Sequence, residues 1–434
     1  MSKDVNILVA GGGFVGITLA AKLLKIGYIN ITILETNNEK LQKFSNGNFG
    51  VFEPGLDEIL LQAILEKRLI FCSEIHSVLF DSIFICIGTT FSSKNSESMS
   101  NIVNLSMRLA QNLTNNGFLF IRSTVRIGTT TKILNELKSI NRSDIKVLFA
   151  PERTIEGNAI KELDFLPQIL AASNDTSYNC AKDFLEVLEF NVIKAQNYEA
   201  AEFAKLISNA WRDSIFAISN EIAILGEFLN LDSIEILNLV NDRYPRAKIP
   251  KPGPVGGPCL TKDTHILFES FPEEIREQSL ILSSRLSNER LFLSASRKIH
   301  EILESRKNIN QVLFLGLTFK SHPKTNDIRN GFSTFLIDGL ISKFVNIKVK
   351  VWDPSLDDID FQEYINFKVE EIDPKISQIV IFGNNGENIQ SEKIRNFLDN
   401  LSSESFIVDY WGVAANLKIN FTNGYFLGKN NKGF

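Results

Sequence analysis

The sequence predicts an α/β protein with two Rossmann-like, doubly wound parallel sheets, joined by a central domain built around one long helix. Three observations predict this fold class. Apolar strand-like stretches alternate with amphipathic helical stretches in the N-terminal half, a long helical pattern follows, and the alternation resumes near residue 310. At 434 residues, 44% hydrophobic and 22% charged, the chain has room for several domains. We expect domains over residues 1–197, 198–305 and 306–434.

Composition and charge narrow the classes of function. The four cysteines form no CxxC pair and the four histidines have no zinc-ligand spacing, so we expect neither a disulfide framework nor a metal site. The formal net charge is -5, and Lys and Arg are spread along the chain rather than gathered for nucleic acid or a membrane surface. The early apolar run, residues 7–21, is broken by glycines and lacks a cleavage site. We therefore expect a cytoplasmic chain without a membrane span and with a small-molecule partner.

The first strand-turn-helix unit carries a dinucleotide-binding pattern. G-x-G-x-x-G lets the backbone turn tightly and lets a pyrophosphate approach the helix N-terminus. Glu35 ends the next strand, where a carboxylate accepts hydrogen bonds from ribose hydroxyls and repels a 2′-phosphate. The pattern thus predicts NAD rather than NADP, although such glycines can also serve packing alone. The predicted cofactor residues of the turn are Gly11, Gly13, Phe14, Val15 and Gly16.

Three further strands are predicted at residues 82–90, 117–125 and 145–152, each ending in hydroxyl residues or a carboxylate. Ligands of doubly wound sheets bind at the carboxyl ends of the strands. We therefore expect four side chains near the cofactor, although a Ser or Thr there can equally be a helix cap. They are Thr89, Ser123, Thr124 and Glu152.

Apolar residues at steps of three or four predict one helix of about eight turns over residues 199–230. Lys205 and Asn209 lie four apart and so share one face of it. That face is either simply solvated, or it projects a cation and an amide donor into a cleft to stabilise a developing oxyanion. Beyond it, strands of the second sheet are predicted at 311–320, 346–354, 376–383 and 405–412.

Seven blocks of sequence together resemble the UDP-glucose/GDP-mannose dehydrogenase family, in the family's order and over nearly the whole chain. They are the turn at 11–16, "FEPGLDEIL" (52–60), "STVRIGTT" (123–130), "PERTIEG" (151–157), "AEFAKLISNAWRDSIFAISNE" (201–221), "YPRAKIPKPGPVGGPCLTKD" (244–263) and "GLTFKSHPKTNDIR" (316–329). The resemblance implies NAD-dependent, four-electron oxidation of the C6 alcohol of a nucleotide sugar to a carboxylate, for polysaccharide precursor synthesis. The three domains would then bind NAD, form a homodimer through the long helix, and bind a UDP-sugar.

By this resemblance Cys259 is the nucleophile, although a lone cysteine is more often a small buried hydrophobe. An aldehyde has no good hydride to give until a nucleophile adds to its carbonyl, and a thiolate provides this through a thiohemiacetal and then a thioester. Lys205 or Lys262 would favour the thiolate. Lys205 and Asn209 would hold the oxyanions. Of Asp263 and Glu152, one would transfer protons and the other would order the hydrolytic water, and the sequence leaves open which does which. The remaining cysteines, Cys72, Cys86 and Cys180, are predicted to pack in the core.

The resemblance also implies substrate contacts. Lys320 and Arg329 match residues that meet the diphosphates of substrate and cofactor respectively. Gly256 would let the backbone approach the substrate. Arg246 matches an arginine that reaches the sugar in the neighbouring subunit of a homodimer, or it is a surface residue of a loop.

Positions that separate the branches of the family disagree about the sugar. Arg153 and the "YPRAKIPKPGP" run resemble enzymes of UDP-N-acetylhexosamines, whereas the Lys-Asp-Thr run at 262–264 resembles enzymes of UDP-glucose. We favour UDP-glucose slightly, with a UDP-N-acetylhexosamine as the alternative. Two other functions fit less well. A two-electron hydroxyacid dehydrogenase has no use for Cys259, and a non-catalytic nucleotide-sugar binder would be expected to have lost Cys259, Lys205 or Asp263.

Overall fold

The computed structural model describes residues 5–27, 30–89, 97–419 and 423–429. The chain forms two compact units. The first contains residues up to Ser208 together with 265–272, and the second contains 209–264 together with the chain from Glu273 onward. The predicted three-domain division is finer than these two units and stays a prediction.

The first unit is built on an eight-stranded sheet in the order β3-β2-β1-β4-β5-β6-β7-β8. All neighbouring strands pair in parallel except β6 and β7, which are antiparallel. The strands are β1 (Asn6–Ala10), β2 (Asn30–Leu34), β3 (Leu69–Cys72), β4 (Phe80–Ile85), β5 (Leu113–Ile121), β6 (Lys146–Phe149), β7 (Gln168–Ala172) and β8 (Val192–Lys194).

Helices cover both faces of this sheet, so strand residues are buried on either side. Along β1, Ile7 and Val9 pack into one apolar cluster, and Leu8 and Ala10 pack into another. This explains the near-continuous apolar strands, which are typical of parallel sheets. The helices of this part of the chain are α1 (Phe14–Lys25), α2 (Asn38–Ser45), α3 (Leu56–Leu65), α4 (Glu97–Ala110), α5 (Thr129–Ser139), α6 (Ala159–Glu162), α7 (Asp175–Val187) and α8 (Tyr198–Leu229).

The second unit contains a five-stranded, fully parallel sheet in the order β10-β9-β11-β12-β13. Its strands are β9 (Gln311–Leu315), β10 (Lys348–Trp352), β11 (Ile379–Phe382), β12 (Phe406–Asp409) and β13 (Gly424–Phe426). The helices that follow α8 are α9 (Ser233–Asn241), α10 (Leu260–Phe268), α11 (Glu273–Glu277), α12 (Leu280–Ser305), α13 (Phe332–Lys343), α14 (Asp358–Phe361) with a 3₁₀ turn (Gln362–Phe367), α15 (Glu392–Asp399) and α16 (Val413–Leu417). All three tryptophans, Trp211, Trp352 and Trp411, belong to this unit.

The predicted fold class is confirmed, and the long helix has nearly its predicted length. The predicted strands are too long at their carboxyl ends, because apolar and hydroxyl residues continue past each strand into the loop above the sheet. The strand predicted over 82–90 ends at Ile85, and residue 90 lies outside the described residues. The antiparallel step at β7 was not predicted. No helix in the described ranges is both long and apolar enough to cross a membrane.

Candidate functional site

In the turn after β1, Gly11 and Gly16 are closely packed against the protein, whereas Gly13 is not. Gly11 has φ +116°, and a Cβ there would lie 2.8 Å from the carbonyl oxygen of Cys86. A Cβ on Gly16 would lie 1.9 Å from the carbonyl oxygen of Gly11, so helix and turn touch at that point. Gly13 precedes α1, and a Cβ there would meet nothing within 4 Å in the described part of the chain. The N-terminus of α1 is therefore open to a phosphate at Gly13.

Glu35 follows β2 and lies against this turn. Its carboxylate accepts hydrogen bonds from the backbone N–H groups of Gly12 at 3.2 Å and Asn37 at 2.9 Å. The ammonium of Lys40 donates to the same group at 3.4 Å. The carboxylate thus lies beside the turn, where the ribose of a dinucleotide is bound in this fold. The glycine turn and Glu35 together fit NAD.

The other predicted cofactor residues lie in the loops after β4 and β5. Thr89 is buried and Thr124 is half-buried. The hydroxyl of Ser123 donates to the carbonyl oxygens of Ile85 at 3.2 Å and Ile87 at 2.7 Å, so it joins the two loops. Their contact with the cofactor stays a prediction.

Glu152 lies in the loop after β6 and is fixed by a buried arginine that the sequence reasoning missed. The guanidinium of Arg122 donates to the Glu152 carboxylate at 2.5 Å and to the side-chain oxygen of Gln168 at 3.2 Å. The Arg122 side chain is 0% exposed and that of Glu152 is 5% exposed. Backbone N–H groups of Arg153 and Thr154 donate to the other carboxylate oxygen. A charged residue at the end of the apolar stretch "FLFIR" was the signal that could have revealed it.

Burial alone would raise the pKa of the Glu152 carboxyl. The Arg122 guanidinium and the two backbone N–H groups outweigh burial, so the pKa lies below its ordinary value. Glu152 is therefore a carboxylate at neutral pH.

Cys259 is an exposed thiol immediately before α10. Its carbonyl oxygen accepts from the backbone N–H of Asp263 at 3.0 Å, which is the first hydrogen bond of the helix. Cys259 is therefore the N-cap residue of a nine-residue helix, where the helix dipole favours a thiolate.

The two glycines before Cys259 fit closely against the same unit. Gly257 has φ +89°, and a Cβ there would lie 2.5 Å from the ring of Phe319. A Cβ on Gly256 would lie 2.5 Å from the carbonyl oxygen of Asn330. Close packing of the protein on itself thus accounts for both glycines, and the contact of Gly256 with substrate stays a prediction.

Asp263, one turn into α10, joins the other predicted catalytic residues of the second unit. It is 1% exposed. One carboxylate oxygen accepts from the side-chain amide of Asn209 at 2.7 Å, and the other accepts from the ammonium of Lys262 at 2.6 Å. Lys205, which is buried, lies one turn before Asn209 on α8. The structure therefore brings Asn209 of α8 together with Lys262 and Asp263, which lie on the helix that Cys259 caps.

The remaining predicted residues belong to the second unit. Arg246 is exposed, and its guanidinium stacks over the Tyr244 ring at 4.5 Å. Arg329 pairs with Asp327 at 2.5 Å. The ammonium of Lys320 lies 5.6 Å from the centre of the Phe319 ring. Their contacts with nucleotide stay predictions.

The other thiols lie in packed surroundings, and all four cysteines are free. Cys86 is buried, and burial raises the pKa of its thiol to about 12, so it is a poor nucleophile at neutral pH. Burial also raises the pKa of the half-buried Cys72. Within the described residues, no group of three or more His, Cys, Asp or Glu side chains is placed to hold a metal ion.

Comparison with known proteins identifies the family of this chain. The chain matches the NAD binding domain of the UDP-glucose/GDP-mannose dehydrogenase family over residues 5–188 and the central domain of that family over 199–290. It is 28% identical to the UDP-N-acetyl-D-mannosamine dehydrogenase of Pyrococcus horikoshii over 81% of this chain and 84% of that protein. It is 27% identical to a UDP-glucose 6-dehydrogenase of Bacillus subtilis over 80% of this chain and 76% of that protein.

Solved structures show the same fold. The UDP-D-ManNAc dehydrogenase structure from Pyrococcus horikoshii has a TM-score of 0.82 at 23% identity and covers 98% of this chain and 99% of its own. The UDP-glucose dehydrogenase structure from Pyrobaculum islandicum has a TM-score of 0.78 at 21% identity, with 98% of each chain covered. The glycine turn, the Cys259 helix and these matches lead to one conclusion: the chain belongs to the UDP-glucose/GDP-mannose dehydrogenase family and is a nucleotide-sugar 6-dehydrogenase with an NAD-binding domain.

Proposed function

We propose that this enzyme oxidises the C6 hydroxyl of a UDP-N-acetylhexosamine, with UDP-N-acetylmannosamine as the first candidate, to the carboxylate through a thioester on Cys259. The observation that carries the chemistry is the exposed Cys259 at the N-cap of α10, one turn before Asp263, which is itself hydrogen-bonded to Asn209. This arrangement combines a nucleophile, an acid–base group and an amide donor.

The reaction balances as follows. The C6 alcohol loses a proton and a hydride and becomes an aldehyde. The Cys259 thiolate then adds to the aldehyde carbon, and the new oxyanion takes up a proton. The resulting thiohemiacetal loses a proton and a second hydride to give the thioester. Water attacks the thioester, breaks the carbon–sulfur bond and releases the carboxylate and the thiol. Two NAD molecules accept the two hydrides, and one water supplies the second carboxylate oxygen.

The neighbouring side chains have separate tasks. Asn209 has two amide hydrogens, of which one binds Asp263, so the other can donate to the substrate oxygen that becomes negative. Lys205, one turn away, supplies a positive charge for the same oxygen. Asp263 shares the first turn of α10 with the thiol, so we assign it the proton transfer.

We assign Glu152 the ordering of the hydrolytic water rather than proton transfer. The Arg122 guanidinium and two backbone N–H groups hold its carboxylate and lower its pKa, so this group resists protonation. A fixed carboxylate can still hold water in one orientation. This assignment separates two roles that the sequence alone left interchangeable.

The relatives favour an acetamido sugar over the UDP-glucose that the sequence slightly favoured. Six of the curated relatives, at 24% to 28% identity, are named UDP-N-acetyl-D-mannosamine dehydrogenases, including those from Pyrococcus horikoshii and Campylobacter jejuni. Two relatives from Bacillus subtilis are named UDP-glucose 6-dehydrogenases, at 24% and 27% identity. Arg153 points to the same branch. In the run at 262–264, which suggested UDP-glucose, Lys262 donates to Asp263, and Asp263 also accepts from Asn209, so these two residues take part in the protein's own contacts.

The test is the number of NADH molecules formed per sugar, with limiting UDP-N-acetylmannosamine, UDP-N-acetylglucosamine, UDP-glucose and GDP-mannose in parallel. We expect two NADH per UDP-N-acetylmannosamine, and loss of full turnover in Cys259→Ser but not in the control Cys180→Ser. One NADH per sugar, or turnover indifferent to Cys259, would rule out the thioester route. Two NADH from UDP-glucose alone would restore the original preference.

We also propose a homodimer through α8. Trp211, Ile218 and Leu225 are spaced by seven residues and are 64%, 50% and 55% exposed, so they form an apolar stripe on one face of the helix. Half-buried Ile215 and Ile222 lie between them. We expect light scattering to give a dimer for the wild type and for a control with Glu235→Lys on α9, and a monomer for Ile218→Glu with Leu225→Glu. A dimer that survives both substitutions would contradict this interface.

A further inference from the structure

A buried polar network in the second unit holds both ends of the loop that carries Cys259. Its members are Asp213 and Asn220 on α8 and Arg285 and Asn288 on α12, and each is at most 1% exposed. We call these four residues the loop clamp. None of them contributes to the catalytic roles proposed above.

One end of the clamp binds the start of the loop. The side-chain oxygen of Asn220 accepts from the backbone N–H of Gly253 at 2.7 Å, and its amide donates to the carbonyl oxygen of Gly253 at 3.0 Å. The same amide donates to the side chain of Asn288 at 3.0 Å. Gly253 is therefore held on both of its backbone polar groups, six residues before the thiol.

The other end of the clamp binds the residue directly after the thiol. The guanidinium of Arg285 donates to the carbonyl oxygen of Leu260 at 3.2 Å and to the carboxylate of Asp213 at 3.0 Å. The amide of Asn288 donates to the same carboxylate oxygen at 2.7 Å and to the carbonyl oxygen of Asp213 at 2.9 Å. Because Asp213 lies one turn after Asn209 on α8, this end ties the first turn of α10 to the helix that carries Asn209.

A buried Arg–Asp pair adds little net stability, since desolvation of both charges offsets their attraction. The pair does, however, determine where the Arg285 guanidinium points. Arg285 is held by Asp213 on one side and reaches the backbone beside the nucleophile on the other. We propose that Arg285 is a positioning residue, which through the carbonyl of Leu260 holds Cys259 and the first turn of α10 in register with Asn209.

This inference rests on the proposed function, in which Cys259 is the nucleophile. Its test includes the rate of alkylation of the Cys259 thiol, which can be measured without enzymatic turnover. Removal of Arg285 alone would leave Asp213 buried without that cation, so the main variant is the uncharged pair Asp213→Asn with Arg285→Met. The matched control is Arg395→Met, which removes an arginine that donates to the carbonyl oxygen of Leu417 at 2.6 Å, away from the loop. Alkylation of Cys259 by iodoacetamide at pH 7 is followed by mass spectrometry of its peptide, beside kcat and the KM for NAD.

We expect kcat of the double variant to fall about tenfold or more while the KM for NAD changes less than about twofold, as for a displaced reacting group. Alkylation of Cys259 should slow about threefold, because a disordered first turn no longer favours the thiolate. The control should match the wild type in both readings. If the double variant only lowers the melting temperature and leaves alkylation and kcat unchanged, Arg285 is merely structural and the inference is overturned. Full turnover in Cys259→Ser would instead contradict the proposed function. The alkylation rates would still show whether Arg285 positions Cys259.

Discussion

Substitution of Arg122 by Met should destabilise the first unit in a way that depends on pH. The change removes the fully buried guanidinium and leaves the Glu152 carboxylate, 5% exposed, with the backbone N–H groups of Arg153 and Thr154. Loss of one partner of a buried ion pair costs about 3–5 kcal/mol. Because two donors remain on Glu152, we expect the lower end, about 3 kcal/mol at pH 7.

The direction of the pH effect follows from the pKa of Glu152. In the wild type that pKa is lowered, so the carboxylate contributes stability above its unfolded value of about 4.3, and this contribution is lost as the pH falls through the folded value. Without Arg122, burial dominates and raises the pKa of Glu152. The ionised carboxylate then becomes a cost as the pH rises through the variant's folded value. The difference in unfolding free energy between wild type and variant should therefore be small near pH 4 and grow toward pH 7.

Hydrogen exchange of peptides from β5 and β6, measured from pH 5 to 7 and corrected for the intrinsic rates, gives the local opening free energy. Urea unfolding at pH 4 completes the series. The double variant Arg122→Met with Glu152→Gln has no buried charge and should recover most of the loss at pH 7. A single variant as stable as this double variant, or a loss that is equal at pH 4 and pH 7, would refute the assignment.

Two further predictions concern the glycine loop and the choice of cofactor. Gly257→Ala should lower the melting temperature by several degrees, equivalent to about 2 kcal/mol, because the position has positive φ and faces the Phe319 ring. Gly412→Ala, also at positive φ but with nothing described within 4 Å, should cost less, and equal losses would show that the ring is irrelevant. Glu35→Ala should raise kcat/KM for NADP relative to NAD by about tenfold, whereas Glu39→Ala on α2 should leave the ratio unchanged. An unaltered ratio in Glu35→Ala would contradict the ribose contact.

Local patterns in the sequence predicted those features of the structure that depend on residues close together in the chain. The glycine turn, Glu35 at the end of β2, the length of α8 and the Gly-Gly-Pro-Cys loop all follow from short-range rules of backbone conformation and periodicity. These features determined the fold class, and the family resemblance identified Cys259 as the nucleophile candidate. The family resemblance then supplied the chemistry.

What the sequence did not reveal depends on pairs of residues far apart in the chain. Asn209 meets Asp263 across 54 positions, and Arg285 meets Asp213 across 72. No local pattern encodes such a distance. The function of Gly256 was expected to be substrate contact, and the structure adds a carbonyl of Asn330 that no spacing rule could have predicted. Likewise, the reversal at β7 is a matter of its antiparallel pairing with β6, which no local pattern encodes.

The distribution of the three tryptophans gives the second compact unit an optical signal of its own. Indole emission arises only from the second unit, whereas the peptide absorption that produces circular dichroism arises from both. Denaturation curves recorded by the two methods will therefore coincide only if the units lose their structure together. Separate curves would allow a ligand that protects the Cys259 unit to be distinguished, in one titration, from a ligand that protects the dinucleotide unit.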